Sequence, residues 1–521
     1  MADEAAQRTR RREVIDVDYD AIVIGAGMGG LAAGGILVAE GAKTLVLEQA
    51  PFVGGCASSF ENSGFRFDTG ACVIQIPWVH DMFFERLGFD RRDYITFIEN
   101  DPTYEFLDIL GGSRFTTPAS LEGTAATIAC WSPEDAAAFL SLVKKKGERM
   151  DGFSKVLLTT PQGRWRDLAL CFAKYPRSLA NIGLVMKPYG KMLKDSFHHP
   201  LTRKLLNTYS VIGGLPPSLQ TSMMLWLCYA EHQGTYYPQG GMGAVPAAYA
   251  RALMQVGGEV LVNARVAKVL LEKGKARGVV LRDGTVIRSK AVVANNCSLS
   301  LYLDMIGEES LPRAVVKGMK SYEFSPTVAA CHLGLDYQPK LNAQHMMGLV
   351  DPELTDSFMR DIYARNIPVP QGVGLVSSPS WADPSLAPEG GGCVTFMSVA
   401  PRHPSTGASW QDMKWDYLER GIDMVDQVFI PGIKDHIVFK TIATPEDFEK
   451  RLLMPNGAIY AYSFSMLSHM TFRPSNKSRC VKNLYLCGAS THPGGSVPGS
   501  VTSGVMAAEL ALKDMDRRRW N

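Results

Sequence analysis

The first regular pattern along the chain is a run from Tyr19 to Ile24. It is short, β-branched and apolar on both faces, which predicts a strand buried in a parallel sheet. Six glycine-rich residues follow, Gly25-Ala26-Gly27-Met28-Gly29-Gly30, and the small apolar residues from Leu31 predict a helix that stops at Gly41. A second buried strand, Lys43 to Leu47, ends at Glu48. Ala21 to Ala39 has nineteen uncharged residues, long enough to suggest a membrane span, but six of them are glycine. Strand, turn and helix is therefore the reading adopted.

The pattern is G-x-G-x-x-G between a strand and a helix. Gly25 permits the tight turn, Gly27 lets the backbone approach a diphosphate, and Gly30 lets the helix pack on the strand. The first N–H groups of the helix and its dipole favour the phosphates. Glu48 lies eighteen residues after Gly30, where a carboxylate accepts bonds from ribose hydroxyls and disfavours a 2′-phosphate. A dinucleotide is implied, but this fingerprint does not separate NAD from FAD.

After Glu48 come Pro51-Phe52-Val53-Gly54-Gly55-Cys56-Ala57-Ser58-Ser59-Phe60 and Gly64-Phe65-Arg66-Phe67-Asp68-Thr69-Gly70. This stretch resembles the second flavin motif of the FAD-containing amine oxidase superfamily. It is most similar to the branch holding phytoene desaturases, carotenoid cis-trans isomerases and retinol saturases. Two further blocks are similar to that branch: Tyr237 to Gly243, continuing through a helix to Val256 and on to Val266, and the closing motif Asn483 to Gly499. The resemblance implies FAD as cofactor, surrounded by Gly25, Gly27, Gly30, Glu48, Gly54, Gly55, Val266, Gly488, Gly495 and Val497. It implies that Val266 meets the adenine through its backbone. Many relatives carry arginine directly after the paired glycine; this chain has Cys56 there, which removes a possible charged partner of the cofactor. Cys56 is read as a small packing residue rather than a flavin anchor or redox thiol. Arg277 to Gly284 reads as a hairpin with an Asp-Gly turn, and Ala291 to Asn296 as a strand returning to the nucleotide sheet.

The expected fold class is α/β: a Rossmann-type FAD-binding domain built from discontinuous segments (18–80, 236–300 and 440–515), plus a mixed α+β substrate domain (81–235 and 301–439) with a helical, membrane-facing part. Residues 1–17 are expected to form a disordered basic and acidic tail. With 46% hydrophobic and 20% charged residues among 521, the chain is neither disordered nor a disulfide-stapled miniature, and a formal charge of +2 gives no reason to expect nucleic acid as a partner. The ten cysteines form no C-x-x-C pair, so no metal site is expected and the thiols are read as reduced. Basic residues at 8 and 10–12 are followed by acidic Glu13, Asp16, Asp18 and Asp20, the wrong order for a signal peptide, and a cytoplasmic location is expected. Charge is nevertheless segregated. Residues 144–204 hold fourteen basic and four acidic side chains among many aromatic and aliphatic ones, a net +10 that leaves −8 for the rest. Such a segment suits peripheral contact with an anionic membrane surface.

The function expected is FAD-dependent desaturation, saturation or isomerisation at a carbon–carbon bond of a hydrophobic, isoprenoid-like lipid. Thr221 to Ala230, rich in methionine and aromatic residues, is either tunnel lining or ordinary core. His492, His232, Glu231 and His469 lie near the motif blocks as candidate proton carriers, but no catalytic side chain is assigned. No second G-x-G-x-x-G after a strand is evident for NAD(P)H, which favours a quinone, oxygen or a separate reductase as electron partner. Two alternatives stand beside this reading: a flavin amine or amino-acid oxidase, and a non-catalytic isoprenoid carrier similar to the GDP-dissociation inhibitors.

Overall fold

A computed structural model describes residues 19–161, 173, 176, 183, 187–222, 224–366, 374–463 and 473–519. The expected tail 1–17, His469 and Met223 lie outside the described residues, as do Arg164, Arg166, Lys174 and Arg177 of the basic segment.

Strand β1 (Tyr19–Ile24) runs into helix α1 (Met28–Ala39) and strand β2 (Thr44–Leu47). Alanine, isoleucine and valine at 21–23 are fully buried, as a strand covered on both faces requires. The helix begins three residues earlier than the apolar pattern predicts, because Met28, Gly29 and Gly30 form its first turn. Further along come helix α2 (Met224–Glu231), strands β3 (Glu259–Leu261), β4 (Val266–Glu272), β5 (Lys275–Leu281) and β6 (Val286–Ala294), helix α3 (Pro445–Leu452), strand β7 (Leu484–Leu486) and helix α4 (Val497–Arg519).

All seven of these strands form one sheet, in the order β3-β2-β1-β6-β5-β4, with β7 also on β6. Its core is parallel, with Val23 paired to Val46 on one side and Val293 on the other. Nine-residue β6 serves three partners: its first half pairs antiparallel with β5, and its second half lies between β1 and β7. Asp283 and Gly284 make the β5–β6 turn, with the Asp283 carboxylate accepting from the Thr285 N–H at 2.9 Å. The nucleotide sheet thus draws on three separated stretches of chain.

A second seven-stranded sheet takes its strands from 104–117 and 327–443 and is antiparallel except where His345–Leu349 runs beside Tyr104–Asp108. The strand Ile437–Ala443 pairs along Thr327–Leu335. The expected division at residue 440 therefore cuts a continuous hydrogen-bonded strand, and the structure corrects it: this sheet continues to Ala443. Beneath the first sheet, α1 packs on α4 so closely that a Cβ added at Gly504 would meet the Gly29 carbonyl at 2.1 Å. That contact brings the first and last motif blocks together.

Candidate functional site

The bend between β1 and α1 is fixed from both sides. Gly25 donates its N–H to the Leu47 carbonyl at 2.7 Å, and Gly54 donates to the Ala26 carbonyl at 2.8 Å. Only glycine fits at 30, since a Cβ there would lie 1.9 Å from the Gly25 carbonyl oxygen. Glu48, almost buried, clamps the bend with its carboxylate: one oxygen accepts from the Ala26 N–H at 2.8 Å and the other from the Ala50 N–H at 2.9 Å. Its backbone carbonyl accepts from Ala264 at 2.7 Å, which sets the start of β4, Val266, beside it. Glu48 thus holds its own loop.

The amino end of α1 carries neither a side-chain cap nor an acidic residue in its first turn, and Met28 to Leu37 are buried. A buried helix end without such a partner leaves positive partial charge uncompensated. A nucleotide diphosphate fits this end, as the sequence motif requires. The Asn295 amide closes the underside, 3.3 Å from the Gly25 carbonyl. It stands where a Cβ at either Gly27 or Gly488 would collide.

Gly54 and Gly55 follow, both with positive φ (120° and 59°), so the paired glycines carry a backbone path that side chains resist. The next residue, Cys56, is half-buried, and desolvation pushes its thiol pKa up, which makes it a poor nucleophile. The charge expected to be missing there arrives from elsewhere. Arg451 of α3 donates to the Gly55 carbonyl at 2.9 Å and to the Ser58 hydroxyl at 3.0 Å. Asp68 joins the second block to the middle one: its carboxylate accepts from the Tyr237 hydroxyl (2.6 Å), the Met242 N–H and the Ser59 hydroxyl (both 2.8 Å).

The closing block returns along β7. Cys487 donates its N–H to the Ala294 carbonyl at 2.9 Å, placing Gly488 over Asn295. Gly495 lies against the backbone of Tyr460, where a Cβ would come within 2.5 Å, and Val497 begins α4. Arg473 braces the loop by donating to the Ala489 and Tyr462 carbonyls at 2.6 and 2.8 Å. Sequence reasoning assigned no role to Arg451, Asn295 or Arg473; the Asp-x-Gly pattern around Asp68 was its only hint of the cross-block clamp.

The candidate proton carriers separate clearly. His232 has both ring nitrogens engaged, with the Cys228 carbonyl at 2.7 Å and the Thr124 hydroxyl at 2.9 Å, and reads as a packed structural side chain. His492 is buried within the closing block, where its backbone bonds Pro474 and Asn476. Glu231, at the end of α2, is different. One carboxylate oxygen accepts from the Gln75 amide at 2.5 Å and the Tyr104 hydroxyl at 3.1 Å, while the other is sealed from solvent without a partner. Burial, partly offset by the bonds from Tyr104 and Gln75, pushes its pKa up to about 7. Met224, Leu225, Cys228 and Tyr229 pack into the surrounding apolar cluster, so this stretch serves at least as core.

Described members of the basic segment are partly neutralised. Lys144 pairs with Glu122, Lys155 with Asp151, and Lys187 and Lys191 with Asp195. Buried Lys204 pairs with Asp108 at 2.9 Å. Among the described residues no group of His, Cys, Asp and Glu could hold a metal ion, and no helix is long and apolar enough to cross a membrane.

A family model described as flavin containing amine oxidoreductase matches residues 28–512. The chain is 29% identical over 514 residues to the phytoene desaturase (neurosporene-forming) of Cereibacter sphaeroides, covering 94% of each chain. It is 24% identical over 520 residues to prolycopene isomerase 2, chloroplastic, of an Oncidium hybrid cultivar, covering 96% of this chain and 84% of that one. In three dimensions it is similar to an oxidoreductase from Methanosarcina mazei, with a TM-score of 0.66, 16% identity, and coverage of 95% of this chain and all of that one.

Proposed function

The chain belongs to the flavin containing amine oxidoreductase family and is an FAD enzyme, and from that premise we propose that it acts on carbon–carbon bonds of a hydrophobic isoprenoid, by desaturation, saturation or isomerisation. Bound FAD supplies a ring that takes up or returns a hydride. In our reading the amino end of α1, with Gly25, Gly27 and Gly30, holds the diphosphate, and Glu48 receives the ribose hydroxyls on its remaining lone pairs. The Val266 backbone meets the adenine, while the backbones of Gly54, Gly55, Gly488, Gly495 and Val497 line the rest of the cofactor. Glu231 is the group best placed to hold a proton, at the carboxylate oxygen that has no protein partner. Its buried tyrosine neighbours keep bulk water from that oxygen.

The observation that carries the flavin part is the buried, uncapped end of α1 tied by Glu48 to the paired glycines. The isoprenoid part is supported by the likeness to a phytoene desaturase and a prolycopene isomerase over nearly the whole chain. The same reading puts a quinone or separate reductase as the electron partner, and sets the protein in the cytoplasm with its 144–204 segment against a membrane surface, where a lipid substrate is collected. The test is anaerobic incubation of flavin-loaded protein with polyenes in liposomes, following the flavin band and product masses. Bleaching or recovery with a product changed by two hydrogens, or an isomer of unchanged mass, is expected. Bleaching by simple amines in lipid-free buffer, with polyenes inert, would instead support the amine oxidase reading. A protein that binds isoprenoid yet never takes up flavin would support the carrier.

A further inference from the structure

Arg451 is a half-buried cation with no anionic partner among the described residues. Its guanidinium donates from one terminal nitrogen to the Gly55 carbonyl and the Ser58 hydroxyl. The other terminal nitrogen, Nη2, is sealed from solvent and has no acceptor. The carboxylates of its own helix are turned elsewhere: Glu446 and Glu449 pair with Arg402, and Asp447 caps the helix at Thr444. Among the described residues no carboxylate lies within ion-pair distance of Arg451; the side chains near it include the Ser58 hydroxyl, the Cys56 thiol, His332, whose pKa burial and then the guanidinium lower to about 3, and the Phe448 ring at 5.7 Å. Burial lowers the pKa of the guanidinium, as it should when no opposite charge compensates.

Leaving a charged nitrogen sealed from water without an acceptor is unfavourable, so the orphaned Nη2 calls for an acceptor from outside the chain. The place narrows the choice. A Cβ at Gly55 would lie only 3.7 Å from the Gly27 Cα, and Gly54 bridges to Gly27, so the carbonyl that orients Arg451 belongs to the segment lying across the amino end of α1.

We infer that Arg451, supplied from α3, is a cofactor-binding residue whose free Nη2 donates to a diphosphate oxygen of the flavin nucleotide. The inference rests on the flavin reading above. It gives the cofactor a cationic partner 395 positions along the chain from Cys56. Charge-assisted bonds from arginine to phosphate are among the stronger polar contacts, and the loss of one corresponds to about a 10- to 100-fold change in affinity.

The experiment titrates FAD, and separately ADP as a probe with the diphosphate but no flavin ring, into flavin-stripped wild type, Arg451→Met and Arg451→Lys. The two-electron potential of each loaded protein is recorded as well. Arg451→Met should bind both FAD and ADP about 10- to 100-fold more weakly, with an unchanged potential and a gap that narrows as salt rises. Arg451→Lys, which keeps the charge, should recover most of the loss and shows that the effect is not misfolding. Arg451→Met affinities within twofold of wild type would overturn the role of Arg451 while leaving the flavin reading intact. Weaker FAD binding with unchanged ADP binding and a shifted potential would move the contact to the ring and overturn the diphosphate assignment. A wild type that binds neither probe would overturn the flavin reading and this inference with it.

Discussion

Replacing Glu231 with glutamine tests whether this carboxyl is neutral inside the fold. The amide fits the observed geometry, since its oxygen can accept from Gln75 and Tyr104 while its NH2 takes the place of the unpartnered oxygen. The carboxyl pKa rises from 4.5 to about 7 through burial. A folded pKa above the unfolded one means that the native state binds more protons between those values. The stability this group contributes is therefore complete below about pH 4.5 and is lost as pH climbs through about 7. At roughly 1.4 kcal/mol per pH unit the loss amounts to about 3 kcal/mol. Its neighbours leave the comparison clean. Tyr104 and Tyr209 have their pKa values pushed well above 10, and Cys228 is likewise raised, so none of them titrates in this window. His345, whose ring lies 5.8 Å from Tyr104, is lowered to about 3 by burial, and its contribution is common to both proteins. Urea denaturation of wild type and Glu231→Gln at half-unit steps from pH 4.5 to 8 should show wild type losing about 3 kcal/mol relative to the variant. Parallel curves, within about 0.5 kcal/mol throughout, would mean that Glu231 is ionised in the fold and would remove it as a proton-holding group.

Three further outcomes follow from the same geometry. Gly30→Ala drives a Cβ into the Gly25 carbonyl, so the bend must open; FAD affinity, read by flavin fluorescence, should fall about tenfold or more while the second sheet stays folded. Asp68→Ala leaves the Tyr237 hydroxyl and the Met242 N–H buried without their acceptor. At about 1–3 kcal/mol per group, thermal or urea melts should show a loss of roughly 2–6 kcal/mol. Lys204→Met strands Asp108, with its side chain 9% exposed, beside an apolar chain. A loss of about 3–5 kcal/mol is expected, most of it recovered by adding Asp108→Leu, as measured by chemical denaturation.

What the sequence disclosed about this molecule is what short windows can encode. Strand β1 falls where the apolar run from Tyr19 to Ile24 puts it, because a six-residue segment buried on both faces has one way to satisfy its backbone. The Asp283-Gly284 turn and the glycine bend were legible for the same reason, each being a local backbone conformation tied to a residue type. The start of α1 was misplaced because Gly29 and Gly30 have poor helix propensity. They are helical here through tertiary contact: a Cβ at Gly29 would lie 2.8 Å from the Ser500 carbonyl of α4, a neighbour that no local window contains.

The charges of the site are less legible still, and for a related reason. Glu48 was found because an acid at the end of the second strand is a local regularity, yet its observed bonds go to the Ala26 and Ala50 N–H groups, a clamp on the loop that spacing alone does not reveal. Asp68 meets Tyr237 across 169 positions and Arg451 meets Gly55 across 396. Neither pair has a periodicity to find, because both depend on where two sheets and the segments between them come to rest. When Cys56 occupies a position where a cation is expected, the sequence records only a loss. The fold can restore the charge from any segment whose side chain reaches the same few ångströms, and an arginine with a buried, unsatisfied nitrogen is the physical trace of such a replacement. A change of residue type at one position of a flavin motif is therefore weak evidence about cofactor electrostatics until the side chains arriving from the rest of the chain have been placed around it.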